Sequence, residues 1–211
     1  MARIVFCWDD GHKNDVRVAE AFEARNLRTT FAIHPRSTKA NRRPPTAEQA
    51  AAYARHDLAN HTSNHYDLSG LTREPDPVAR LLDEVVRAQV ELEHEYGKPV
   101  ENLVLPFGRY NQETLDMLSG LDRLKSIRTI DCVRACVPGR RRPLIVHANC
   151  KLDSPDYWEL VAEQPEVVVC EHSWSLKPVK SVGEVLDRHL ERGDEVITLT
   201  DLVKLHTWGA V

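Results

Sequence analysis

The feature that most constrains this chain is the run Ile4-Val5-Phe6-Cys7-Trp8-Asp9-Asp10-Gly11. Apolar, β-branched and aromatic side chains follow one another, the pattern of a buried strand, and the strand ends on two adjacent carboxylates. Burying such acids is costly unless a cation or hydrogen-bond donors meet them. Neighbouring strand residues point to opposite faces, so Asp9 and Asp10 do different jobs unless the chain turns there. Gly11 permits that turn, through backbone angles other residues avoid. Two readings stand at this point: a turn whose acids cap the next helix, or the rim of a site.

The pattern continues along the chain. Asp15 to Ala24 carries Val16, Ala19 and Phe22 at helical spacing. Leu27 to Ile33 is dense in β-formers. Thr46 caps an alanine-rich helix to Arg55, and His56 to Asn60 reads as a short strand. Between Pro77 and Tyr96, the apolar positions Val78, Leu81, Leu82, Val85, Val86, Val90 and Leu92 predict one long amphipathic helix ended by Gly97 and Pro99. Asn102 to Pro106 is a strand closed by Phe107-Gly108-Arg109, and Asn111 caps a helix over Glu113 to Leu118. Strands follow over Leu124 to Ile130, Leu144 to His147, Glu166 to Cys170 and Glu195 to Leu199. Helices over Pro155 to Ala162, over Val182 to Leu190 and from Thr200 complete the count. Short strands alternating with helices predict an α/β barrel or a doubly wound sheet, read here as one domain over residues 1–211.

Composition limits the function classes. A net charge of −4 and a pI near 6.2 lack the basic excess of a general nucleic-acid binder. No apolar stretch approaches the roughly 20 residues of a membrane helix. The site begins by Asp9, which leaves no leader to cleave in this numbering, so a cytoplasmic location is expected. Cys7, Cys132, Cys136, Cys150 and Cys170 show neither zinc-knuckle nor redox spacing and read as reduced thiols. The arginine runs Arg42-Arg43 and Arg140-Arg141-Arg142 read as solvated loops, with phosphate binding as the alternative.

The polar residues cluster where strands end, which in parallel α/β folds is where sites lie. Asn60-His61-Thr62-Ser63-Asn64-His65 puts two histidines at i and i+4, on one face if the segment is a helical turn. Two imidazoles and a carboxylate make a three-ligand shell with open positions, suited to a catalytic Zn²⁺ or a similar divalent ion. The competing reading is a histidine pair packing in a loop.

These segments resemble the motifs of the polysaccharide deacetylases, the NodB-homology family of carbohydrate esterases. Trp8-Asp9-Asp10-Gly11 resembles the Thr-Phe-Asp-Asp-Gly motif, and His61-Thr62-Ser63-Asn64-His65 resembles His-(Ser/Thr)-x-x-His. Arg28-Thr29-Thr30-Phe31 is similar to the strand between them, and Val104-Leu105-Pro106-Phe107-Gly108 to Arg-x-Pro-x-Gly. Glu171-His172-Ser173 stands where the family keeps its last histidine. The resemblance implies a deformed (β/α) barrel of about seven parallel strands. It also implies a hydrolase that removes an N-acyl group, typically acetyl, from an amino sugar or small amide. It assigns Asp10, His61 and His65 to a divalent metal, Zn²⁺ first with Co, Ni, Fe or Mn as alternatives. Asp9 becomes the general base, His172 the general acid and the Phe107 N–H an oxyanion donor. Trp174, close to His172 in the sequence, is read either as a ring beside the substrate or as core packing. The expected partner is a glycan or small molecule, with no nucleic acid and no membrane.

The departures from the pattern open two alternatives. Val104 stands where the third motif has arginine, and Arg128 is the candidate to supply that charge from another strand. A fourth motif, Asp-x-x-Asp-Trp, is not identifiable, with Asp131 at most a remnant. These losses suit a non-catalytic binding relative. Two histidines and one carboxylate also make the facial triad of non-haem iron oxygenases.

Overall fold

Strict alternation within β1 (Arg3–Asp9) sorts the interior of the molecule. Val5 and Cys7 face inward and pack with Ala32, Ala59, Val104, Val146, Val168 and Cys170. Ile4, Phe6 and Trp8 face outward onto a second cluster that includes Val18, Phe22, Tyr53 and Leu186 from the surrounding helices. Both faces of β1 are therefore buried, as its unbroken apolar run requires. The computed structural model describes residues 1–35, 44–130, 143–174 and 176–208.

The other strands are β2 (Thr30–Ile33), β3 (Asp57–Asn60), β4 (Asn102–Val104), β5 (Ser126–Thr129), β6 (Leu144–His147), β7 (Glu166–His172) and β8 (Glu195–Ile197). They form one parallel sheet in the order β6-β5-β4-β3-β2-β1-β7. β7 pairs with β1 over its whole length, while β2 takes Cys7–Asp9 and β8 takes Arg3–Val5. β2 and β8 thus divide the second edge of β1 between them. Beyond β6, Cys150 bridges to Val169 of β7 and the Asn149 N–H donates to Val168 O at 2.8 Å, which brings the sheet round. The result is the curled α/β barrel expected, seven strands along the path with β8 as an eighth beside β1.

Helices α1 (Asp15–Glu23), α2 (Ala47–Arg55), α5 (Gln112–Ser119), α6 (Tyr157–Glu163), α7 (Leu176–Arg192) and α8 (Leu199–Trp208) follow the predicted order. α2 carries a full capping box between Thr46 and Gln49, and Asn111 caps α5 by accepting from the Thr114 N–H. The start of α8 closes the amino-terminal end of the barrel. Its Leu199 N–H donates to Thr30 Oγ1, and Thr200 bonds Asp57 and Asn102 at the starts of β3 and β4. The carboxyl ends of the strands remain for a site.

The long helix departs from its prediction. Residues Pro77–Leu81 (α3) and Ala88–Tyr96 (α4) are α-helical, but Leu82–Arg87 between them is a π-helical segment. The buried face also differs from the apolar pattern: Val78, Leu82 and Val90 are exposed, while Glu84 and Gln89 are buried with Leu81, Val85 and Leu92. The widened turn releases carbonyls, and the segment after β3 uses them. Ser63 Oγ donates to Asp83 O, Ser63 N–H to Glu84 O and Asn60 Nδ2 to Val85 O, all at 2.8–2.9 Å. The Glu84 carboxylate accepts from the N–H and the side-chain amide of Asn64 at 2.9 and 3.0 Å. A helix built only for packing would keep those carbonyls in its own ladder; this one holds the His61–His65 segment. Removing a hydrogen-bonded outer partner of metal-binding residues commonly costs about 10- to 100-fold in affinity. Glu84→Ala is therefore expected to weaken divalent-metal binding by about that factor, measured by competition with a chromogenic chelator.

Candidate active site

Asp9 is the last residue of β1, and its side chain continues the inward row of Val5 and Cys7. There Arg128 of β5 meets it: Nη2 donates to Asp9 Oδ2, and both side chains are shut off from solvent. The register explains the substitution at Val104. Val104 of β4 pairs with Arg128 of β5, so the guanidinium rises at the same level from the neighbouring strand. Burial alone would lower the Arg128 pKa, but the Asp9 carboxylate outweighs it and holds the guanidinium charged, well above its ordinary value. The thiol of Cys170 also donates to Asp9 Oδ2, at 3.4 Å, and burial pushes that thiol up to about 12. Asp9 Oδ1 is buried and has no hydrogen-bond partner. Cys7 is buried and its thiol is likewise pushed up by burial, so it is inert.

Asp10 does not continue the strand. Its backbone turns to φ +77°, followed by Gly11 at +69°, and the Asp10 N–H donates to Ala32 O at 3.1 Å. This turn carries the second carboxylate out of the barrel toward the segment after β3, so the two acids face different surroundings. His61 Nε2 and His65 Nε2 each lie 3.3 Å from Asp10 Oδ1. The three ligand atoms lie within 4.8 Å of one another, and this is the one such cluster among the described residues. His61 Nδ1 sits 2.8 Å from the Val104 carbonyl, which can only accept, so Nδ1 carries the proton and Nε2 turns its lone pair toward Asp10. Asp10 Oδ1 is buried with no N–H aimed along a hydrogen bond to it. Lone pairs converging on one point from two imidazoles and a carboxylate fit a divalent cation.

The segment from His61 to His65 is a loop, not the helical turn that the i, i+4 spacing suggested. Thr62 and His65 take φ +63° and +54°, and this left-handed path brings the rings to a centroid distance of 5.0 Å. Asn60 Oδ1 accepts from the Thr62 N–H at 2.8 Å, and His34 Nδ1 donates to the Thr62 carbonyl at 2.8 Å. His34 also packs against the rings of His61 and His65, with centroids 5.1 and 5.6 Å away, and burial lowers its pKa to about 4. It is thus a neutral prop for the loop. No sequence motif singled out His34 or Glu84, because each acts through the backbone of the loop.

Asp10 presents its other oxygen, Oδ2, to His172 Nε2 at 3.6 Å. His172 ends β7 directly opposite Asp9 in the register, and its N–H donates to Glu171 Oε1 at 3.0 Å. Two aromatic rings flank the cluster. Phe107, at φ +60° in the turn Pro106–Gly108, lies 4.6 Å from the His65 ring; Trp174 lies 5.1 Å from the His172 ring. They are 55% and 57% exposed, so neither ring belongs to the core. All eight predicted site residues thus gather at the carboxyl end of the barrel. Asp131, Cys132, Cys136 and both arginine runs lie outside the described residues. His147 bonds Thr129 Oγ1 and joins no metal cluster among the described residues.

Solved structures share this architecture. A family 4 carbohydrate esterase from Bacillus anthracis superposes with a TM-score of 0.68 at 16% identity, over 96% of this chain and 82% of that one. A family 4 acetyl xylan esterase from Clostridium thermocellum, solved with a cobalt ion, gives 0.64 at 14% identity over 96% and 91%. A family 4 pseudoenzyme from Bacillus anthracis gives 0.65 at 13% identity over 95% of this chain, which spans 65% of that chain's length. Likeness at such identities concerns the fold. Among curated proteins none matches by sequence. The polysaccharide deacetylase family itself matches over residues 2–123, more than half of the length and the stretch holding β1, the histidine loop and the Phe107 turn. The chain therefore belongs to the polysaccharide deacetylase family.

Proposed function

We propose that the protein is a metal-dependent hydrolase that removes an N-acyl group, acetyl in the first instance, from an amino sugar or a related small amide. The observation that carries this reading is the separation of two adjacent carboxylates. Asp10 faces His61 and His65, while Asp9 faces Arg128 inside the barrel. Asp10, His61 and His65 would hold the ion, Zn²⁺ by its liking for nitrogen and oxygen donors, with Co, Ni, Fe or Mn compatible. A divalent ion there supplies Lewis acidity, lowering the pKa of a water and polarising the acyl carbonyl.

The remaining steps belong to the chain. Asp9 Oδ2 is engaged by Arg128 and Cys170, so Oδ1 is the oxygen that accepts the proton of the attacking water. The Phe107 N–H donates to the carbonyl oxygen as charge collects on it. His172 Nε2 gives its proton to the departing amine, and Asp10 Oδ2 faces it throughout. Phe107 and Trp174 offer apolar faces on which a sugar ring can stack. A binding-only relative has no use for a buried arginine on Asp9, so the Arg128 contact supports turnover over that alternative. A small substrate met in the cytoplasm is part of the same proposal.

Purified protein is expected to contain a divalent ion and to release acetate from N-acetylated amino sugars. Asp9→Asn should keep the ion and lose about 10²- to 10⁴-fold in turnover, the range for a positioned base. Equal turnover by that variant, or full activity after the ion is stripped, would defeat the reading. Arg128→Ala leaves Asp9 buried without its cation, a change that costs about 3–5 kcal/mol. The urea midpoint should fall accordingly. The double variant Asp9→Asn with Arg128→Met, which removes both charges, should recover most of that loss.

A further inference from the structure

We infer that Asp15 is a positioning residue for His172, clamping the turn after β7 by way of Ser173. The inference rests on the reading of His172 as general acid. Asn14 occupies the cap position of α1, where its side chain ordinarily accepts from a helix N–H. It makes no such bond; its Nδ2 donates instead to the Ser173 carbonyl at 2.9 Å. Asp15 next to it is fully buried, and its carboxylate also takes a backbone hydrogen bond from His12 in the turn before the helix. Oδ1 accepts from Ser173 Oγ, and Oδ2 from the Tyr53 hydroxyl of α2 at 2.5 Å. Asn14 at the cap and Asp15 at the first helical position therefore both direct a side chain to Ser173, the neighbour of His172.

Stability does not call for this arrangement. Among the described residues no cation pairs with Asp15, and a buried carboxylate held by two hydroxyls and one backbone N–H gains less than apolar packing would. Burial pushes its pKa up to about 7, a sign of how little compensates it. What the arrangement does provide is a rigid link between the turn that carries Asp10, the helix that follows it, and the turn that carries His172 and Trp174. His172 receives no side-chain bond from Asp15, so the effect passes through the backbone at Ser173.

Amide and aryl ester substrates separate this role from a structural one. In amide hydrolysis the C–N bond breaks as nitrogen takes a proton from His172, whereas 4-nitrophenyl acetate loses a phenolate that carries its electron pair away unaided. Asp15→Ala and Ser173→Ala are expected to lower kcat on an N-acetylated amino sugar by at least about 10-fold, part of the roughly 10²- to 10⁴-fold that a positioned acid contributes. Turnover of 4-nitrophenyl acetate should change by less than about 3-fold, and metal content should match the parent protein. His172→Ala should show the same split. Asp15→Asn, which can still bond both hydroxyls, should recover most of the amide activity. If Asp15→Ala does not fold, Ser173→Ala and Asn14→Ala carry the test. Equal losses on both substrates, or loss of the metal, would overturn the assignment. No split in His172→Ala would overturn the general-acid reading and this inference with it.

Discussion

The contact between Arg128 and Asp9 is sealed inside the curl of the sheet, where either charge alone would be untenable. Desolvating an ion costs several kcal/mol even after the surroundings relax, and well-packed apolar residues in place of a buried pair are often neutral or stabilising. Nor is the pair arranged for strength. A guanidinium and a carboxylate bond best as two parallel forks, yet only Nη2 and Oδ2 engage, and Arg128 Nε and Nη1 and Asp9 Oδ1 are buried without partners. One-handed pairing fixes the carboxylate while leaving an oxygen for chemistry. The barrel core around it, from Val5 to Val168, supplies the stability that this contact does not.

The backbone tells the same story at lower energy. Five non-glycine residues among those described take positive φ, and four of them, Asp10, Thr62, His65 and Phe107, bear on the site. Each such residue costs on the order of 1–3 kcal/mol and persists only where its surroundings over-determine it. Against a typical net stability of about 5–15 kcal/mol, that is a substantial local burden. The surroundings are identifiable: Asn60 and His34 on Thr62, and the π-helical segment with Glu84 on Ser63 and Asn64. Gly108, at φ +65°, packs so closely on Ile130 that a Cβ would sit 2.5 Å from its side chain, which pins the Phe107 turn. Strain at the site is thus matched by rigid contacts one residue away.

That distribution explains what the sequence could disclose. The strand ending in Asp9-Asp10, the two histidines and the barrel itself were legible because each is a local pattern: an apolar run, a spacing, an alternation. The long helix was legible as a helix, but its buried face was not. Glu84 and Gln89 are buried where Val78, Leu82 and Val90 are exposed, and nothing in the apolar pattern announces either that exchange or the π turn over Leu82–Arg87. The helical placing of His61 and His65 failed for a related reason, since spacing is blind to a left-handed residue such as Thr62. Glu84, His34 and Asp15 were hidden because they are charged or polar residues in otherwise ordinary stretches, and their partners are distant in sequence. Arg128 lay between these cases: the gap at Val104 called for a cation and made Arg128 the candidate, and the register is what sets it beside Val104.

The displaced arginine also bears on how a family pattern should be read. In a parallel sheet, neighbouring strands in register place their side chains at the same height, so Val104 and Arg128 stand side by side on the inner face. A guanidinium from either strand can reach the carboxylate that ends β1. A motif written along one strand records the change as a loss, although the charge inside the barrel is retained. What the chemistry requires is a cation at a place, and a barrel offers more than one strand from which to deliver it. Departure from the motif at Val104 is therefore weak evidence for a silent relative, because the requirement it encodes is met one strand away.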